Sequence, residues 1–249
     1  MIILFILGLA FGSFLNVLIH RLPKGQSIIS PGSYCPECKH KISIWENIPI
    51  LSFLILGGRC RICKKPIPIQ YPLVELLMGL MTYFIFWKDG LTIYLPFHLF
   101  LVGALIVLSV IDLQQMIIPD QITYPGIAVG IIFSLIVGRL IPGLIGIAIG
   151  GGIIYLIRVI GGAIYKGEVM GGGDVKLCLM LGGFLHPLGM IMTLILASLI
   201  GAASGIILII VGRRSRVLPF GPFLSIGAII TIFYYYPIMD WYGILIRSY

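Results

Sequence analysis

Long apolar runs separated by short polar segments constrain this chain more than any other feature. Runs near 1–19, 71–88, 96–112, 121–138, 141–160, 175–185, 188–211 and 217–236 read as helical spans. About 20 apolar residues, rising roughly 1.5 Å each, cross the hydrocarbon core of a bilayer. The sixth run is too short to cross unaided and His186-Pro187 ends it, so it reads as a half-span or a segment tilted behind its neighbours. With 59% hydrophobic residues and only 10% charged, no soluble core could hide so much apolar surface. Soluble domains carry about 25% charge. The expected fold is therefore all-α: a polytopic transmembrane helical bundle of about eight spans with one small polar loop domain. Residues 1–19 lack a basic leading segment and a small-residue cleavage site, and read as a retained first span rather than a signal peptide.

The net charge of +8 would suit nucleic acid, but its distribution argues against that partner. Fourteen of the 17 Lys and Arg residues fall at residues 20–70, 113–120, 158–176 and 212–216; only Lys88, Arg139 and Arg247 fall on the other side. Basic residues in short loops mark the cytoplasmic face. Both termini are then expected outside, and three units follow: a first span at 1–19, a cytoplasmic loop at 20–70, and a membrane-embedded domain at 71–249. Gly150-Gly151-Gly152 and Gly161-Gly162 permit close helix approach or backbone bends.

Within the loop, Cys35-Pro36-Glu37-Cys38 and Cys60-Arg61-Ile62-Cys63 are separated by 21 residues. Each CxxC turns both sulfurs toward one point, and two such knuckles build the tetrahedral sulfur cage that structural Zn2+ prefers. On the cytoplasmic side a metal site takes precedence over disulfides. A closed four-sulfur site has no open position for water, so the zinc is expected to staple a segment too small to fold on its own core. Cys178 reads as a small hydrophobe in a helix. The run 50–56 is too short to span and is expected on the membrane surface or folded over the knuckles.

Acidic residues are scarce, and two stand at the cytoplasmic ends of apolar runs. Asp112 ends the third run, and Asp174 follows Gly171-Gly172-Gly173. A carboxylate at membrane depth is costly and points to function. Two carboxylates side by side would share one proton, yielding a base to activate water and an acid to polarise a carbonyl. The bland alternative is a helix cap or a solvated helix end, which fits Asp120 after Pro119 well. Residue chemistry alone leaves both readings of Asp112 and Asp174 open. The three glycines either let an extended substrate backbone approach or allow a left-handed turn. Gly171, Gly172, Gly173 and Lys176 are the residues assigned to substrate binding.

Taken in order, six blocks of residues resemble the type IV prepilin peptidases, or leader peptidase/N-methyltransferases. They are Gly12-Ser13-Phe14-Leu15-Asn16-Val17 with Arg21-Leu22-Pro23; the two CxxC knuckles with Trp45-Glu46-Asn47-Ile48-Pro49; and Tyr71-Pro72-Leu73-Val74-Glu75. Then come Ile111-Asp112-Leu113 with Ile118-Pro119-Asp120 and Thr123-Tyr124-Pro125-Gly126; Gly171-Gly172-Gly173-Asp174-Val175-Lys176; and Leu218-Pro219-Phe220-Gly221-Pro222-Phe223. The resemblance implies an aspartic endopeptidase of the bacterial cytoplasmic membrane, multi-pass, with its active site facing the cytoplasm. Its substrates would be prepilins or pseudopilins, cut after a glycine. Asp112 and Asp174 match the family's catalytic positions, in preference to Asp120. It further implies methylation of the new N-terminal amine from S-adenosylmethionine, served by the long loop. No glycine-rich nucleotide fingerprint follows a strand in that loop. Glu46, Asn47 and Arg21 are its candidate residues, although Asn47-Ile48-Pro49 also reads as a plain turn. Gly32 stands where many relatives carry a basic residue. Membrane lipid is the other expected partner, and the sequence shows no oligomeric state. Two rival readings are another GxGD intramembrane aspartic peptidase, and a non-enzymatic zinc-dependent transporter or scaffold.

Overall fold

A computed structural model describes residues 1–167, 170–212 and 218–247, with side chains described as far as Tyr235. Glu168, Arg213, Arg214 and Arg216 lie outside the described residues, as do the side chains of Asp240 and Arg247. The described residues form eight α-helices: α1 Ile2–Arg21, α2 Leu51–Ile55, α3 Gln70–Asp89, α4 Tyr94–Gln115, α5 Asp120–Ile136, α6 Leu140–Tyr165, α7 Gly172–Ile210 and α8 Gly221–Arg247. Among the described residues there is no strand, only the isolated bridges Tyr34–Lys41 and Arg59–Pro66. The all-α expectation holds. Among the described residues, four helices are long and apolar enough to cross a membrane: α1 (extended to Lys24), α4, α6 and α7. The apolar part of α5 and the described part of α8 are shorter. Large side chains such as Ile141, Leu199 and Ile210 point outward, as they do when lipid is the solvent.

The chain divides into two compact units, Met1–Val107 and Leu108–Tyr249. The first couples α1 to α3. Gly8 and Gly12, one turn apart on α1, make that approach possible: a Cβ on Gly12 would stand 2.7 Å from the Glu75 Cα. Small residues at such spacing let helix backbones meet in lipid, where association relies on close packing.

In the second unit α7 is the hub, packed against α5, α6 and α8. Gly146 of α6 and Gly182 of α7 face each other so closely that a side chain on either would enter the other's backbone. Gly150 serves the same interface, whereas Gly152 faces open space. At 39 residues, α7 would measure roughly 58 Å if straight, about twice a bilayer core. It is not straight. His186 leaves the helical region at φ 58° and ψ −177°, because the residue before a proline is forced out of it. The expected break at His186-Pro187 is therefore present, as a kink joining two helical arms that the sequence had suggested as separate runs.

Candidate functional site

The second unit holds the two aspartates, each bonded to a backbone N–H at the N-terminal end of a helix. Asp112 sits in the last turn of α4, 5% exposed. Its Oδ2 accepts a 2.9 Å hydrogen bond from the Gly221 N–H, the first residue of α8. The first N–H groups of a helix have no partner within it and carry partial positive charge, so a carboxylate there is well placed. Gly221 has to be glycine for this contact, since a Cβ would lie 2.6 Å from that oxygen.

Asp174 is the third residue of α7, counted after its N-cap Gly171. Its carboxylate accepts the Gly171 backbone N–H, the reach-back half of a capping box. Capping and chemistry are thus compatible: one oxygen caps, while Oδ1 is buried without a hydrogen-bond partner among the described residues. A buried acceptor without a donor is costly, and such groups concentrate where a ligand belongs. Asp112 and Asp174 lie within electrostatic reach of each other.

The glycines before Asp174 do not form a left-handed turn. None of the three has a positive φ. Gly172 and Gly173 give room to the protein itself: side chains there would meet the Arg158 guanidinium at 2.8 Å and Ile118 at 2.7 Å. Gly171 is open apart from the Asp174 carboxylate, 3.4 Å from where its Cβ would be. Lys176 ion-pairs with Asp120 and lies 5.3 Å over the Tyr124 ring. Asp120 is the first residue of α5, following Pro119, and its half-exposed side chain makes it a solvated helix end rather than the cap. Cys178 is fully buried, as a small hydrophobe should be.

The loop unit holds the four cysteines. All are free thiols, and their sulfurs lie within 4.8 Å of one another, able to hold a metal ion. Cys35–Cys63 and Cys38–Cys60 separations are both 3.9 Å. That fits four metal–sulfur bonds of about 2.3 Å, whose tetrahedral edges are roughly 3.8 Å, and is far beyond the S–S bond of about 2.05 Å. The knuckles repeat each other. In each, the first Cys N–H donates to a carbonyl five residues on, and the Lys after the second Cys returns to the first Cys carbonyl. Lys39 and Lys64 take matching left-handed conformations at φ 60° and 59°. Backbone N–H groups of Cys63 and Ile62 pull the Cys60 thiol down to about 6. At Cys63 the Lys65 N–H is outweighed by burial and by the neighbouring cysteines, which push that thiol up to about 11, so within this cluster one thiolate forms at the expense of the next.

Beside the cluster lies a cleft of about 360 Å³, walled by Cys35 and Cys60, by the turn Glu46-Asn47, and by Asn16, Arg21, Tyr71 and Glu75 of α1 and α3. All three methyltransferase candidates line it. Arg21, however, spends its guanidinium on the Ser27, Pro31 and Gly32 carbonyls. It pins the segment before the first knuckle, and Gly32 contributes a carbonyl there. Glu46 Oε2 accepts from the Ser43 N–H and hydroxyl, both at 2.9 Å. These bonds, with His40, hold its carboxyl below the ordinary 4.5. Glu75 accepts the Ile50 N–H at 2.8 Å and so ties the loop to α3. The short helix α2 turns Leu51, Leu54 and Ile55 outward, near exposed Trp45 and Ile44, as a membrane-surface element would. Sequence reasoning missed Gly221, Asn16 and the structural part of Arg21. All three stand in blocks it had singled out, but their contacts connect residues distant in the chain or bonded through the backbone.

Comparison with known proteins places both units. The profile of the Bacterial Peptidase A24 N-terminal domain matches residues 6–89. That of the Type IV leader peptidase family matches residues 99–206. Among curated proteins named Prepilin leader peptidase/N-methyltransferase, that of Aeromonas hydrophila is 35% identical over 96% of this chain and 92% of its own length. That of Pseudomonas aeruginosa is 32% identical over 91% and 88%. The Myxococcus xanthus protein is 41% identical over 86% of this chain, and the match spans 64% of that longer protein. No solved structure matches the chain.

Proposed function

The chain belongs to the type IV leader peptidase family, and on that premise we propose that it removes the leader from prepilins and prepilin-like proteins and then methylates the new N-terminus. Asp112 and Asp174 are the catalytic pair. The observation that carries this assignment is two buried carboxylates within electrostatic reach, each anchored by a helix N-terminal N–H, with Asp174 Oδ1 unpartnered among the described residues. The pair shares one proton. The ionised carboxylate takes a proton from water as its oxygen attacks the scissile carbonyl carbon. The protonated one delivers its proton to the leaving nitrogen as the C–N bond breaks, giving a new carboxylate and a new amine. Gly171, without a side chain, leaves the Asp174 carboxylate accessible to an extended substrate. Lys176 holds Asp120 and Tyr124 at the rim.

Methyl transfer belongs to the loop unit, with Glu46 and Asn47 facing the substrate and Arg21 positioning the loop. S-adenosylmethionine, when bound in the cleft that Glu46 and Asn47 line, would supply the methyl group, and the amine would lose a proton on accepting it. The four cysteines fit Zn2+ by donor type and spacing, and the ion's part is to keep the loop folded. Basic loops support a bacterial cytoplasmic-membrane topology of about eight crossings, with the N-terminus outside and both sites facing the cytoplasm.

Mass spectrometry of a co-expressed prepilin tests this reading. The expected product begins immediately after the leader glycine and is one methyl group heavier than the unmodified chain. Uncut prepilin with the native enzyme, or processed product from Asp112→Asn or Asp174→Asn, would overturn the peptidase assignment.

A further inference from the structure

Two residues that line the cleft beside the cysteine cluster each carry a buried acceptor atom without a donor among the described residues. Asn16 is 3% exposed. Its Nδ2 donates to the Tyr71 carbonyl at 3.0 Å, which fixes the amide orientation and leaves Oδ1 as the free end. Oδ1 is buried and has no hydrogen-bond partner among the described residues. Glu46 has a side chain only 10% exposed. Its Oε2 is saturated by Ser43 and His40, while Oε1 is likewise buried and without a hydrogen bond. Among the described residues, Oε1 is met only by an ion pair with the exposed Arg61, whose Nη1 stands 3.8 Å away, beyond hydrogen-bond range. Both residues line the same cleft.

Other cations on the cleft wall are engaged elsewhere. Arg21 is spent on three carbonyls, Lys65 pairs with Glu37, and His20 is bonded to Lys24. Glu75 adds a further carboxylate to the lining. A buried acceptor that forgoes water costs about 1–3 kcal/mol, so two such residues on the lining of one cleft point to a ligand rich in donors. Carboxylate and amide oxygens in apolar surroundings select a donor that carries positive charge, since charge-assisted bonds are the stronger ones.

We infer that Asn16 and Glu46 form a binding site for a primary ammonium group, set into the cleft between the cysteine knuckles and the loop ends of α1 and α3. The inference deepens the methylation reading and rests on it for the ligand's sources. Two carry such a group: the new N-terminus of a cleaved chain, and the amino-acid end of the methyl donor. Asn16 is then a positioning residue of the methylation unit, contributed by a helix rather than by the loop.

Binding measurements on the zinc-loaded full chain in detergent test this without requiring methyl transfer. One arm compares a peptide copying the first residues of a mature pilin with its N-acetylated form. The other compares S-adenosylhomocysteine with its deaminated analogue. The free amine is expected to bind at least about tenfold tighter in one arm, the scale of a charge-assisted hydrogen bond, and the arm that discriminates names the source. Asn16→Leu and Glu46→Gln should each cut that preference to less than about threefold. Glu46→Gln leaves Asn16 and its bond to Tyr71 in place, and an unchanged zinc content shows that the loop is folded. No preference in either arm, or a preference that survives both substitutions, overturns the site. A chain that shows the preference yet never methylates a mature pilin retains the site and overturns the methylation reading instead.

Discussion

The loop unit and the helices around α7 are held together by opposite means. Residues 20–70 are organised by polar cross-links: four cysteines on one point, Arg21 on three carbonyls, and Glu75 on the Ile50 N–H. Around α7 the contacts are backbone against backbone through glycine, and polar bonds concentrate at helix ends and around the kink. The difference follows from solvent. A short segment in water lacks apolar area for a core and needs a metal. Helices in lipid gain nothing by burying more apolar surface and associate by close packing and by satisfying helix ends. The two units should therefore fail to different perturbations.

The largest expected effect is on cleavage. Asp112→Asn and Asp174→Asn should each lower the rate by roughly a thousandfold or more, because they remove a reacting group. An asparagine oxygen can still accept the Gly221 or Gly171 N–H, so thermal unfolding should scarcely move. A large drop in melting temperature would show that these carboxylates are structural.

Next comes metal removal. Chelation, or Cys→Ser at 35, 38, 60 or 63, should release one ion per chain and expose residues 33–66 to hydrogen exchange, since binding energy at such sites is folding energy. Methylated product should disappear while cleaved product persists. Loss of both together would join what the comparison separates.

A smaller effect is expected at Gly221. Gly221→Val places carbon against the Asp112 carboxylate, and displacing a reacting group by an ångström costs about a hundredfold in rate. Metal content should be unchanged. Full activity in this variant would remove Gly221 from the site.

The smallest effect concerns pH. Hydrogen bonds from Ser43 keep the Glu46 carboxyl below its ordinary 4.5. Its contribution to loop stability is then complete above 4.5 and is lost as pH falls through the lower folded value. Hydrogen exchange across 33–47 should quicken in that acid range in the native chain, and Glu46→Gln should remove that component of the pH response.

Much of this was legible from residue patterns. Paired CxxC motifs reveal a sulfur cluster because the turn that converges two thiols is local. A proline reveals the α7 break because its ring acts on the preceding residue. Apolar runs reveal helices, although the sixth and seventh merge through the kink into α7. Other features were not legible. Gly172 and Gly173 were expected to serve substrate or a left-handed turn; the turn does not form, and they admit Arg158 and Ile118. Arg21 was expected at the chemistry, but it binds the loop's own carbonyls.

The sequence by itself determined the apolar runs, the helix content and the four-cysteine pattern, because each follows from composition or from neighbours a few residues apart, and it left the reading of Asp112 and Asp174 open. Only the tertiary structure decided what those residues meet. It brought the Gly221 N–H to Asp112 across 109 positions and Tyr71 to Asn16 across 55. Contacts at such separation depend on how helices pack, and packing is set by side-chain volume at every interface at once.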